Sequence, residues 1–178
     1  MRRMMKRRHL LKTLAAAPAA IGIPLWIPAS ALGLNNTVAP SERVTLGFIG
    51  VGDHGVGMNL RNFLPQPDAQ VVALCDVDGS RINRADRIVR DHYAAASPSG
   101  RYGSVYASRD WRDVVGRQDV DAVVVSTPDH WHVIPSVYAA RAGKDVFCEK
   151  PLTLTVQEGR ILSDTIARYG RVFQTASE

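Results

Sequence analysis

The sequence predicts a single α/β domain built on a doubly wound parallel sheet of six strands, preceded by a leader segment. Three observations predict this fold. The first apolar strand-like run, residues 44–49, leads directly into a glycine-rich turn. Strand-like and helix-like segments then alternate, which is the pattern of a parallel sheet with crossover helices. Residues 120–125 are rich in valine, as expected for a strand that is covered on both faces.

The turn after the first strand has the spacing G-x-G-x-x-G and is followed at once by a predicted helix over residues 56–64. In a dinucleotide site such glycines permit a tight turn, let the backbone approach a pyrophosphate and allow close packing of helix on strand. The diphosphate then lies against the free N–H groups of the helix N-terminus. The turn supplies five candidate cofactor-binding residues, Gly50, Gly52, Asp53, His54 and Gly55.

An acidic residue follows at the position expected for a ribose partner. The second apolar run, residues 69–75, ends at Asp76, which lies 21 residues past Gly55 and matches the usual spacing of about 20. A carboxylate here suits the ribose 2′-hydroxyl and would repel a 2′-phosphate. No basic residue follows until Arg81. The sequence therefore predicts NAD as the cofactor, in preference to NADP.

The remaining elements complete a Rossmann domain with the strand order 3-2-1-4-5-6. They are, in order, a helix capped by Ser80, a loop over 94–103, a short strand over 105–106, a helix over 109–115, the strand over 120–125, a helix over 131–142, a strand over 145–148, a helix that starts at Thr153 or Thr155 and ends at Gly170, and a strand over 172–174. The last strand is an apolar edge that could associate with another copy or a companion chain.

Ligands in such sheets bind at the carboxyl ends of the strands. The segment that leaves the fourth strand contains the candidates Thr127, Pro128, His130 and His132, and Asp129 is positioned to cap the next helix. Two histidines at i and i+2 do not share a helical face, and no clear third ligand accompanies them, so we expect cofactor-shaping residues and no metal. The alternative is that one of the histidines only satisfies the helix start.

The segment that leaves the fifth strand supplies three more candidate cofactor-binding residues, Glu149, Lys150 and Pro151. A residue before proline is held in extended geometry, and a cis bond there would aim the ammonium group. A lysine desolvated near a cationic nicotinamide ring would lose proton affinity. It could then deprotonate a substrate hydroxyl while hydride leaves the same carbon. Lys150 is the candidate catalytic residue, and the alternative is a surface lysine paired with Glu149.

The charge of the chain is concentrated in residues 1–31. This segment holds six of the 22 basic residues and no acidic residue, so the formal charge of +5 does not indicate a nucleic-acid-binding face. Its basic start, its short proline-interrupted apolar run and an Ala-Ser-Ala sequence are typical of a cleaved signal peptide and not of a membrane span. Residues 7–12 resemble a twin-arginine motif, which predicts export to the periplasm or another extracytoplasmic space. Residues 32–43 are then a linker, and residues 44–178 form the folded domain.

These motifs resemble those of the Gfo/Idh/MocA oxidoreductases, in particular their N-terminal NAD(P)-binding domain. The resemblance rests on the glycine turn, on residues 73–78, on residues 127–132 and on Glu149-Lys150-Pro151. It implies that Lys150 is catalytic, that Asp76 binds the adenosine ribose, and that Thr127, Pro128 and His132 line the nicotinamide side.

The resemblance also implies a substrate class and an incomplete enzyme. Exported members of the family act on sugars and polyols, and some are similar to NAD-dependent glycosidases. Members continue into a second, substrate-binding domain, which we expect this chain to lack, so whether it is an enzyme alone stays open. The alternatives are a truncated or split dinucleotide-binding module without catalysis, and a Rossmann methyltransferase that uses S-adenosylmethionine.

Overall fold

The computed structural model describes residues 38–96 and 105–177. Six strands form one all-parallel sheet in the order β3-β2-β1-β4-β5-β6, which confirms the predicted fold class and strand order. The strands are β1 (Val44–Ile49), β2 (Ala69–Cys75), β3 (Tyr106–Ser108), β4 (Ala122–Val125), β5 (Asp145–Cys148) and β6 (Phe173–Thr175). The predicted leader, residues 1–31, lies outside the described residues.

Helices cover both faces of the sheet. They are α1 (Arg61–Phe63), α2 (Gly79–Ala96), α3 (Trp111–Val115), α4 (Val133–Arg141) and α5 (Val156–Tyr169), with short 3₁₀ turns at Pro40–Glu42 and Asp129–Trp131. One buried cluster includes Phe48 and Val124 and lies under α2, while the other includes Val123 and Val125 and lies under α3 and α4. Successive valines of β4 therefore point to opposite cores, as the valine-rich run predicts.

The first helix differs from the prediction. The segment Gly55–Leu60 is π-helical, and only Arg61–Phe63 continues as α-helix. π-Helical segments are rare and often occur at functional sites. The wider turn carries Asn59, which is 5% exposed, toward the carboxyl ends of the neighbouring strands.

Three local predictions are wrong: the loop at residues 94–96 and the helix caps at Ser80 and Asp129. A fourth prediction left two starts open for the last helix, and the structure selects one of them. Helix α2 extends to Ala96, because alanine favours helix, so residues 94–96 are not loop. The rest of that predicted loop, residues 97–103, lies outside the described residues. The α2 cap is Asp78, whose Oδ1 accepts hydrogen bonds from the N–H and Oγ–H of Ser80. Asp129 makes no side-chain cap. Thr155 begins α5 with a capping box, and Gly170 ends it with φ +59°.

Candidate dinucleotide site

The turn after β1 is tight enough to require two of its glycines. Gly50 has φ +90°, and a Cβ built there would lie 2.6 Å from the carbonyl of Ser126. A Cβ on Gly55 would lie 2.3 Å from the carbonyl oxygen of Gly50. A Cβ on Gly52 would meet only the guanidinium of Arg81, at 3.5 Å. Gly50 and Gly55 therefore close the turn, while Gly52 keeps open the space in front of it.

That space is a cavity of about 680 Å³ at the carboxyl ends of the strands, within the usual size range for a small-molecule site. Its walls are the glycine turn, the end of β2, the segment that enters α3, and the segment that leaves β4. Nine of the candidate site residues line it, namely Gly50, Gly52, Asp53, His54, Gly55, Asp76, Thr127, Pro128 and His130. Arg81, Arg109, Trp111, Arg112 and Trp131 also line it and were not predicted.

Two features of this cavity fit a dinucleotide. The first N–H groups of the helix that follows the glycine turn have no intrahelical partners, which suits a diphosphate. The Oγ1 of Thr127 is buried and has no hydrogen-bond partner among the described residues, so a polar ligand group at this wall would satisfy it.

Asp76 is held in place by backbone groups. Its Oδ2 accepts a hydrogen bond from the N–H of Val51 at 3.0 Å, and its Oδ1 accepts one from the N–H of Asp78 at 3.0 Å. The guanidinium of Arg81 lies 3.9 Å from Oδ1 and 3.7 Å from a carboxylate oxygen of Asp78. The carboxylate therefore ties the end of β2 to the glycine turn, and each of its oxygens keeps a lone pair for a ligand.

The two histidines after β4 occupy different places. His130 is exposed and lines the cavity. His132 is 1% exposed, and its ring bridges two carbonyl oxygens, Nδ1 at 2.8 Å from Pro151 and Nε2 at 2.7 Å from Thr127. The structure thus places His132 behind the cavity wall, where it ties the segment after β4 to the segment after β5.

Glu149 is the most connected residue at the end of β5. It is 4% exposed, and its carboxylate lies 2.8 Å from the Nδ2 of Asn59 and 2.9 Å from the Nε2 of His54. It also accepts a hydrogen bond from the N–H of Lys150 at 3.2 Å. Burial raises the pKa of Glu149, but the hydrogen bonds from Asn59 and His54 outweigh it and hold the pKa below its usual range.

Lys150 follows directly, is exposed, and precedes Pro151 through a cis bond. Among the described residues, the 680 Å³ cavity is lined without Glu149, Lys150 or Pro151. These three are joined to the glycine turn through the contact between Glu149 and His54. The proximity of β5 to the turn is set by the sheet order, in which β4 alone separates β5 from β1.

Asn59 is a further residue of this site that the sequence does not predict. Its Nδ2 donates to the Oγ of Ser126 and to Oε1 of Glu149, both at 2.8 Å. A signal was present, because Asn59 falls on the same helical face as Val56 and Leu60, which are buried. A polar residue on an apolar face needs a partner, and the ends of β4 and β5 provide it.

No group of three potential metal ligands comes together within residues 38–96 and 105–177. In the same part of the chain, no helix is long and apolar enough to cross a membrane. Both cysteines, Cys75 and Cys148, are buried and unpaired, and burial raises the pKa of each thiol to about 12.

A cleft of this size, bounded by a glycine turn and the carboxyl ends of parallel strands, defines an NAD(P)-binding Rossmann domain. The family model described as the Gfo/Idh/MocA oxidoreductase family, NAD-binding Rossmann fold, matches residues 44–177. The chain therefore belongs to this family.

Known relatives agree with the assignment. A glycosyl hydrolase family 109 protein of Saccharopolyspora erythraea is 36% identical over 172 residues, which cover 89% of this chain and 36% of the relative. The chain thus spans little more than a third of that protein's length.

Two solved structures are also similar. The WlbA dehydrogenase of Chromobacterium violaceum, solved with NADH and UDP-GlcNAcA, has a TM-score of 0.65 at 16% identity, over 79% of this chain and 36% of that one, and shows the fold alone. KijD10, a 3-ketoreductase of Actinomadura kijaniata solved with NADP, has a TM-score of 0.63 at 25% identity, over 75% and 37%. One of these structures contains NADH and the other contains NADP, so the similarity does not distinguish NAD from NADP as the cofactor of this chain.

Proposed function

We propose that this chain is the dinucleotide-binding part of an oxidoreductase that oxidises a carbinol of a sugar or polyol. The observation that carries the proposal is the placement of Lys150 at the carboxyl end of β5, with its backbone N–H on Glu149 and Glu149 in turn on His54 of the glycine turn. Only Glu149 lies between the backbone of Lys150 and His54 of the glycine turn. The lysine is therefore close to the proposed cofactor site, as an acid–base role requires.

The bound nicotinamide would supply the two-electron acceptor for the hydride of the carbinol carbon. The residues of the chain do the rest. The glycine turn and the helix N-terminus bind the diphosphate, and Thr127 offers its unpartnered hydroxyl to the nicotinamide side. Lys150 accepts the hydroxyl proton at Nζ as the C–H bond breaks, so that the substrate leaves as the ketone. In the reverse direction Lys150 returns this proton.

We propose NAD as the cofactor. Asp76 supports this choice, because a 2′-phosphate at the end of β2 would meet its carboxylate. Arg81 could favour NADP, but its guanidinium lies between the carboxylates of Asp76 and Asp78, which balance its charge. Calorimetric titration of the chain should give a Kd for NADH at least tenfold lower than for NADPH. Equal or reversed affinities would contradict this assignment.

The role of Lys150 can be tested in a fusion of residues 44–178 to the part of the Saccharopolyspora erythraea relative that the chain does not cover. Lys150→Ala should lower kcat by about 10²- to 10⁴-fold, the usual contribution of acid–base catalysis. The Kd for NADH should change less than threefold. An unchanged kcat would show that Lys150 has another role, and binding without turnover in the unmodified fusion would favour the non-catalytic module.

A second candidate function is glycoside cleavage, in which the hydride is returned to the sugar after the bond breaks. The observation that favours it is the similarity to a glycosyl hydrolase family 109 protein. The two functions share the oxidation step and differ in net redox change. With a nitrophenyl glycoside, the hydrolase releases nitrophenol without net NADH formation, whereas the dehydrogenase accumulates NADH at 340 nm with a free polyol.

We further propose that residues 1–31 direct export by the twin-arginine route, which carries folded proteins and would let cofactor be loaded before export. The arginine pair Arg7 and Arg8 supports the proposal. Replacing both with lysine should retain the uncleaved chain inside the cell, as measured by fractionation and by intact mass. Unchanged export of the double variant would contradict the twin-arginine route.

A further inference from the structure

A polar cluster, in which Asn59 and Glu149 are buried and His54 is exposed, joins the glycine turn to the end of β5. It consists of His54, Asn59, Ser126 and Glu149, and we call it the Asn59 cluster. The amide of Asn59 donates to Ser126 and to Oε1 of Glu149, both at 2.8 Å. His54 approaches the same Oε1 at 2.9 Å. The other oxygen, Oε2, accepts from the N–H of Lys150 at 3.2 Å.

The burial of this cluster makes its geometry specific. Asn59 and Glu149 are 5% and 4% exposed, so water does not readily replace a lost partner. A buried carboxylate that loses a donor keeps the cost of its desolvation. A shift of Asn59 therefore requires Glu149 to follow, and Glu149 carries the backbone of Lys150 with it.

The cluster begins where the diphosphate is expected to bind. His54 belongs to the glycine turn and lines the 680 Å³ cavity. Asn59 belongs to the π-helical segment that continues from this turn, and its wide turn lets the Asn59 amide reach the ends of both β4 and β5. The same helix N-terminus thus faces the ligand on one side and the lysine-bearing strand end on the other.

We propose that Asn59 and Glu149 are positioning residues that couple occupation of the glycine turn to the orientation of Lys150. This inference rests on the proposed dinucleotide binding and on the proposed role of Lys150. A ligand that fills only the diphosphate end of the cavity should change the environment of the Lys150 ammonium. The nicotinamide ring is not required for this effect, which distinguishes coupling through the cluster from direct shielding by the ring.

The test measures lysine acetylation by N-hydroxysuccinimidyl acetate in the full 178-residue chain, resolved by peptide mass spectrometry. ADP-ribose is the probe, because it occupies the glycine turn and lacks nicotinamide. The internal reference is an added peptide with one lysine, because Lys144 of the chain is 8% exposed and its Nζ donates to the carbonyl of Arg117, which slows its acetylation. Each variant is measured at ten times its own Kd for ADP-ribose, so that changes in affinity do not affect the comparison.

In the unmodified chain, ADP-ribose should change the acetylation rate of Lys150, relative to the reference peptide, by at least threefold. Asn59→Leu and Glu149→Gln should reduce this change below 1.5-fold, as should Asn59→Asp, which keeps the side-chain size and replaces the donor with a second carboxylate. The matched control is Asn62→Asp, an exposed position on the same helix, which should keep the full response. A merely structural role would lower the melting temperature and leave the response intact in molecules that still bind.

The outcomes separate the two levels of the proposal. Saturable ADP-ribose binding with no change at Lys150 in the unmodified chain overturns the coupling and leaves dinucleotide binding in place. A full response in the Asn59 and Glu149 variants also overturns it. If the folded, unmodified chain binds neither NADH nor ADP-ribose in calorimetry, the proposed function fails, and the coupling fails with it.

Discussion

Substitution by alanine should have opposite effects on stability and binding at Gly55 and Gly52 of the glycine turn, because the surroundings of the two glycines differ. A Cβ on Gly55 would lie 2.3 Å from the carbonyl oxygen of Gly50, about 1 Å inside ordinary contact distance, and both partners are backbone. The turn must open to admit it, at a cost of about 1–3 kcal/mol. At about 4 °C per kcal/mol for a domain of this size, Gly55→Ala should melt roughly 4–12 °C below the unmodified chain.

Gly52 faces the cavity, where a Cβ would have only the flexible end of Arg81 within 4 Å. Gly52→Ala should therefore keep the melting temperature within about 2 °C, because no backbone contact is violated. It should weaken NADH binding at least tenfold, because the methyl group fills the space that the pyrophosphate needs. Thermal unfolding by circular dichroism and NADH fluorescence titration measure the two effects.

Gly57 is the matched control. It lies in the same helical segment, and a Cβ there would meet nothing within 4 Å. Gly57→Ala should be neutral or more stable by about 0.5–1 kcal/mol, because alanine loses less backbone entropy on folding. The proposed roles of these glycines are refuted if Gly55→Ala has the same melting temperature as Gly57→Ala. They are also refuted if Gly52→Ala binds NADH with the affinity of the unmodified chain.

Three further predictions concern the rest of the domain. Hydrogen bonds from the backbone and hydroxyl of Thr45 hold the pKa of Asp121 below its usual range, so Asp121→Ala should cost about 1 kcal/mol at pH 7 in urea unfolding. Because the folded-state pKa is lowered, this difference is present above about pH 4 and should shrink as the pH falls further; a pH-independent difference would contradict it. Burial raises the pKa of Cys75 and Cys148 to about 12, so neither thiol should react with Ellman's reagent at pH 8 until urea unfolds the chain, and rapid labelling of native protein would disprove their burial. His132→Phe keeps a ring but removes the imidazole N–H that one of the two bridged carbonyls accepts, which should lower the free energy of unfolding by about 1–3 kcal/mol, and no measurable loss would rule out the bridge.

Local sequence patterns were sufficient for the fold class. Three patterns predict it: the alternation of strand and helix, the valines of β4 and the G-x-G-x-x-G spacing. Each depends on interactions between residues close in the sequence, through the alternation of strand faces, burial and backbone freedom. For the same reason the sequence located the start of α5 at one of two threonines, and the Thr155 capping box follows from side chains three residues apart. It misplaced the α2 cap by two residues, because Asp78 and Ser80 are both good caps and only the backbone path chooses between them.

The sequence by itself determined which residues stand at the carboxyl ends of the strands, and hence the glycine turn, Asp76, and the segments that contain His132 and Lys150. Only the tertiary structure decided what these residues contact. In the folded chain the ring of His132 lies behind the cavity wall and bridges two carbonyl oxygens. Asn59 contacts Glu149, which is 90 positions away in the sequence. Contacts of that kind depend on the direction of each side chain and on the π-helical pitch of Gly55–Leu60, which no local pattern of residues encodes.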